Sequence, residues 1–312
     1  MDSTETTASG LASVEATLRE QLARADAALS AAAPALGRLL GLEAGELISD
    51  EMVARVRGML ADLARQLIDA VEEAAGTSSL SRDSLAAALA EDEALLGHLH
   101  ALAVEGRIAG KLEAEAGIDP VLSPLFEGLI AGGDEVLASA TMGAVAAQAS
   151  FIQQQRRMTL PLGELPAELL PATLGALRRT TGDNERADEI DAALRQQFDE
   201  GRSRIGLLTR LVMRTGSNAP GALDVASAGL AFFVTALALA AGQERGTMVM
   251  ALAAPQPARL ALALRAAGLP KSSVQAQCLY FHPDAMPADG LLGLRADQAA
   301  AMLVAAKSGG HS

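Results

Sequence analysis

Cys278 and His282 stand four residues apart, a spacing that on a helix brings a thiol and an imidazole within reach of a nucleophilic pair. Pro283 ends such a helix early, and no Asn or Asp is placed to orient the ring, so Cys278 reads as a small packed thiol. His98 and His100 form the closest histidine pair, but two residues apart they project about 200° from each other, whereas a helical metal site needs i and i+4. Glu91, Asp92, Glu93 and Glu105 add carboxylates without a geometry, and the pair reads as helix-surface histidines, with neither a metal nor a phosphotransfer role. The glycines of GLIAGGDE, 128–135, precede a helix but lack the strand before and the Lys-Ser/Thr after that a phosphate loop requires. No catalytic constellation, metal or cofactor is therefore expected.

The most distinctive polar cluster is cationic. Arg156 and Arg157 end a long uncharged segment, and Arg178 and Arg179 follow after a proline-rich stretch. Arginines in a last helical turn complement the negative end of the dipole, which accounts for both pairs as caps. The sharper reading is that the four line one groove and receive an acidic segment of a protein partner or an anionic ligand.

The elements that must carry these residues are helical. From 50 to 75, Met52, Val56, Leu60, Leu63, Leu67 and Val71 recur at three- and four-residue intervals, with Arg55, Asp62, Arg65 and Asp69 elsewhere on the wheel. Ser49 is the expected N-cap, Ile48 and Val53 a hydrophobic staple, and Gly76 the stop. Similar spacing predicts helices from Leu11 to Ala32, at 82–90, 92–116, after Pro120, and at 134–158, 184–214, 222–241, 245–253, 256–267 and 295–307. Residues 274–281, VQAQCLYF, are the best strand candidate, although a helical turn suits them equally. Ala-Ala-Gly closes helices at Gly76, Gly242 and Gly268. The expected fold is all-α, an irregular array or bundle of antiparallel helices, possible as an α-solenoid.

The expected organisation is a disordered 1–10, an acidic helical domain over 11–158, a packed Pro/Gly-rich junction over 159–183, a second helical domain over 184–307, and a disordered tail, 308–312. Two stretches, 136–155 and 225–243, carry no charge and match the length of a membrane span. Ser139, Thr141, Gln148, Ser150 and three glutamines at 153–155 speak against the first as a span. The second, rich in Ala and Gly, reads as a core helix surrounded by neighbours. An alternative function places an apolar small-molecule or enzyme pocket between these helices, where Met142, Phe151, Phe232 and Phe233 could meet.

Composition excludes other classes. With 25 basic against 38 acidic residues and a net charge of −13, the chain repels nucleic acid and anionic membrane, and seven aromatics leave few stacking platforms for bases. The charge is regional: 9 basic against 24 acidic residues up to Ser150 give −15, and 16 against 14 beyond it give +2. A single cysteine and an acidic, polar start favour the cytoplasm.

The stretches ISDEMVARVRGMLADLARQLIDAVEEA, 48–74, and LALALRAAGLPKSSVQ, 260–275, resemble an alphaproteobacterial family known as domain of unknown function 2336. The resemblance implies a bacterial, helical, repeat-like protein and supplies no activity or functional residue. The resulting expectation is a non-enzymatic scaffold or regulatory adaptor with a protein partner.

Overall fold

The computed structural model describes residues 16–24, 27, 49–75, 80–181, 185–217, 219–253 and 256–309. Residues 1–10, most of the helix expected over 11–32, the staple residue Ile48, Gly76 and the tail 310–312 lie outside the described residues. The fold is all-α, with no strand among the described residues. After a helical segment, α1 (16–24), come α2 (Asp50–Ala75), α3 (Arg82–Leu89), α4 (Glu93–Ala116), α5 (Pro124–Ala131) and α6 (Glu135–Arg157). Then follow α7 (Leu170–Thr181), α8 (Glu185–Gln197), α9 (Arg204–Thr215), α10 (Val225–Ala241), α11 (Arg245–Ala253) and α12 (Pro257–Ala266). The last three are α13 (Lys271–Phe281), α14 (Asp289–Leu292) and α15 (Ala296–Gly309).

α2 forms as its sequence dictates. The Ser49 hydroxyl accepts from the Met52 N–H, Asp50 and Glu51 occupy the first turn, and Met52, Val56, Leu60, Leu63, Leu67 and Val71 are buried. Gly242 and Gly268 adopt left-handed φ values of 61° and 90° at the ends of α10 and α12. There Gln243 N–H reaches back to Ala238 O and Leu269 N–H to Leu264 O, as in a Schellman ending.

Two expectations need correction. The helix expected over 184–214 is interrupted: Asp199 caps a 3-10 turn (Glu200–Arg202) through Gly201 N–H, and Ser203 starts α9 by accepting from Gly206 N–H. Short polar side chains that compete for backbone N–H groups end one helix and start the next. Of the two readings of 274–281, strand or helical turn, the structure bears out the helical one, within α13. α15 continues to Gly309, two residues into the stretch expected as a tail.

The chain forms two compact units, each from non-contiguous segments. One comprises 1–31, 107–134 and 212–312; the other 32–106 and 135–211. Two of their boundaries fall inside α4 and α9 and a third between α5 and α6, and the junction expected over 159–183 lies wholly within the second unit.

In the first unit α12 is central, packing against α10, α11, α13, α14 and α15 with Leu260 to Leu264 fully buried. α10 is buried along nearly its whole length, as the uncharged stretch 225–243 predicts. Phe232 meets Phe126 of α5 edge-on at 5.7 Å, and Phe233 stacks on Phe281 of α13 at 5.8 Å. α10 is kinked at Gly229, whose φ of 71° and ψ of 158° suit only glycine. A Cβ there would also lie 3.1 Å from that of Ser123, the N-cap of α5.

In the second unit α3 packs on α2 and α7, and α8 on α2 and α7. The proline stretch forms a short 3-10 turn, Leu162–Glu164, and Pro171 sits in the first turn of α7. It is tied to α2: the Gln66 amide donates to Leu160 O and accepts from Leu162 N–H, while Asp62 accepts from Leu160 N–H. Buried Leu160, Leu165 and Leu169 explain why these leucines leave water.

Candidate functional site

The second unit holds a buried charge network. Arg204, at the start of α9, is 1% exposed and donates to both carboxylate oxygens of Glu105 on α4, at 2.7 and 2.9 Å. Gln148 Oε1 on α6 accepts from the same guanidinium at 3.1 Å, and the Phe151 ring, one turn on, lies 3.7 Å below it. The Arg204 backbone N–H, unsatisfied within the helix as its first donor, goes to Glu164 Oε2 at 2.8 Å. Burial pushes the Glu164 carboxyl up, opposed by that N–H and by the Arg204 charge. The guanidinium is thus bidentate, roofed and enclosed, and it joins α4, α6 and α9 without presenting a reacting atom.

In the first unit the polar groups with catalytic potential are also engaged. Cys278 is fully buried, and burial pushes its thiol up to about 11, so the thiol and not the thiolate is present at neutral pH. His282 donates Nε2–H to Ala251 O at 2.9 Å, and burial holds its imidazole low, with the charge of Lys111 acting in the same direction. A cleft of about 660 Å³ lies beside the N-terminus of α10, lined by Pro220, Leu223, Leu269 and Pro270 with Asp224 and Gln277. Asp224 and Gln277 both serve α10: Asp224 accepts from Ala226 N–H and from the Gln277 amide, and Gln277 Oε1 accepts from Val225 N–H. Among the described residues no group of His, Cys, Asp and Glu is arranged to hold a metal.

The residues considered for an apolar pocket have separate neighbours: Phe151 the Arg204 guanidinium, Phe232 the Phe126 ring, Phe233 the Phe281 ring, and Met142 solvent. Of the four candidate partner-binding arginines, Arg178 pairs with Asp188 at 2.6 Å and Asp191 at 2.9 Å. Arg179 lies 3.9 Å from Glu91 and donates to Ala88 O. Arg156 and Arg157 are exposed in the last turn of α6, and no described residue forms an ion pair with them.

α6 itself is the most unusual surface element. It buries one stripe, Thr141, Ala144, Gln148, Phe151 and Gln155, at intervals of three and four residues. The opposite face, Ser139, Met142, Ala146, Ser150 and Gln153, is exposed and uncharged, with Met142 53% exposed. Glu135 stands at its start and Arg156 and Arg157 at its end. Among the described residues α6 alone is a single helix long and apolar enough, by length and composition, to cross a membrane; α10 and α11 pass only as a pair bent by 117°.

No protein-family model matches the chain, and neither a curated protein nor a solved structure matches it.

Proposed function

We propose that the chain is a non-enzymatic helical interaction protein, a scaffold or regulatory adaptor, whose docking surface is the outward face of α6. One observation carries this reading: the uncharged run 136–155 folds into a helix that buries a single stripe and turns Met142, Ala146 and their neighbours outward. An ordinary surface helix places charges on that side, and a face without them costs little to desolvate when a protein covers it. The cytoplasm is the compartment that suits a partner-binding chain with one buried thiol.

A photo-crosslinking residue at Ala146, installed in the native host, tests the reading against the same residue at Met213, which is 73% exposed on α9. A protein adduct at Ala146 and none at Met213 is the expected result. Absence of any protein adduct at Ala146 sinks the proposal. The double reversal Arg156→Glu with Arg157→Glu is expected to weaken the adduct while the helical circular dichroism is retained.

A further inference from the structure

The exposed face of α6 has a symmetry that the docking proposal does not require. Counting outward from Ala146, exposed residues fall at four, seven and eleven positions in both directions: Met142 and Ser150, Ser139 and Gln153, Glu135 and Arg157. Laid antiparallel on a copy of itself about a two-fold axis at Ala146, the helix would oppose each member of a pair to the other. Glu135 would face Arg157 at both ends, Ser139 would face the Gln153 amide, and Met142 would fill the space over Ser150. Gly143, where an added Cβ would find nothing within 4 Å, would face Ala149 and allow close approach. Neither Glu135 nor Arg157 forms an ion pair with a described residue.

We infer that the occupant of this face is a second copy of the chain, paired antiparallel through α6; the inference rests on the interaction reading above and names its partner. The charge order decides the orientation. A parallel pair sets Glu135 against Glu135 and Arg157 against Arg157, whereas the antiparallel pair gives two opposite-charge contacts and aligns the helix dipoles favourably. The interface is isologous and closes on itself. From 135 to 157 the strip is about 33 Å long and one helix wide, which buries roughly half the ~800 Å² per partner of a standard interface. A dissociation constant on the order of micromolar, with exchange between copies, is the affinity such an area supports.

Sedimentation equilibrium of the full chain over about 1 to 300 μM covers that range and is expected to show a monomer–dimer equilibrium. Glu135→Arg alone and Arg157→Glu alone each turn both end contacts repulsive and should raise the dissociation constant about tenfold. Combining the two in one chain restores opposite charges at both ends and should recover the wild-type constant within a factor of about two, a rescue expected only of self-pairing in this register. Circular dichroism monitors the fold, which these exposed positions leave intact. Ala146→Cys, at the axis, should oxidise to a covalent dimer, while Met213→Cys should not; buried Cys278 gives no background. A chain that stays monomeric throughout, or a dimer insensitive to both single reversals, overturns the inference. An Ala146 adduct with a different protein on a monomeric chain overturns it too and leaves the interaction reading standing, whereas no protein adduct at all removes both.

Discussion

Gly58 of α2 lies directly against Met158, the residue that ends α6, so closely that a Cβ at position 58 would stand 2.5 Å from the Met158 Cβ and 2.9 Å from its carbonyl oxygen. Met158 adopts φ 55°, left-handed for a residue with a side chain, while Thr159 N–H reaches back to Gln154 O. Gly58→Ala therefore forces two backbones apart and is expected to destabilise the protein by ~1–3 kcal/mol. Gly97→Ala, inside α4 with nothing within 4 Å of the new methyl, should stabilise it by ~0.5–1 kcal/mol. Urea denaturation of the two variants checks the opposite signs.

Removing Arg204 takes from the buried Glu105 the counter-charge that offsets its desolvation. Arg204→Met is expected to cost ~3–5 kcal/mol, because Glu105 loses both its hydrogen bonds from the guanidinium. Adding Glu105→Leu should return most of that loss, since the double variant buries no charge. A double-mutant cycle in denaturant measures it, and a double variant no more stable than Arg204→Met contradicts the account.

His282 makes stability fall on the acid side of neutrality. Its folded value lies below its ordinary 6.5, so above that pH both states are neutral and its contribution is fully present. As pH falls through 6.5 the unfolded chain takes a proton that the folded chain refuses, and stability drops until the folded value is passed. Histidine titration by NMR should show the depressed value, and His282→Gln should flatten this limb of the stability profile.

Burial and a raised thiol value protect Cys278 from alkylation. An aromatic disulfide reagent at pH 8 is expected to leave the folded chain unlabelled and to modify one thiol per chain once denaturant unfolds it. Stoichiometric labelling of the folded chain would contradict the buried thiol.

Local features were legible in the sequence where one short segment determines them. The boundaries of α2 follow from Ser49 and the apolar spacing, and the left-handed ends at Gly242 and Gly268 follow from residue type. Met158 fills the same role without that signal, because tertiary contact with Gly58 sets its backbone. The break at Asp199 to Ser203 was masked by helical spacing that continues through it, although both residues are strong caps.

Arg204 and Glu105 lie 99 residues apart, beyond any spacing rule. The available clue was Glu105 as a carboxylate directly after Leu102, Ala103 and Val104 and shortly before Ile108, all of them buried. For α6 the absence of charge was plain, but composition does not tell a helix covered all round from one that buries a single stripe. Ser and Gln are tolerated in both positions. Arg178 and Arg179 looked equivalent to Arg156 and Arg157, and only folding brings Asp188, Asp191 and Glu91 to the first two.

The interleaving of the two units sets an order of assembly on the ribosome. Once residue 211 has been made, every residue of the unit formed by 32–106 and 135–211 exists, whereas its companion still awaits 212–312. Phe126 emerges long before Phe232, the ring it packs against. At ~5–20 residues per second the missing stretch takes on the order of 5–20 s to synthesise. Until Phe232 is made, early in that interval, α5 belongs to a nascent chain that lacks the ring Phe126 packs against, a target for the chaperones that guard translation.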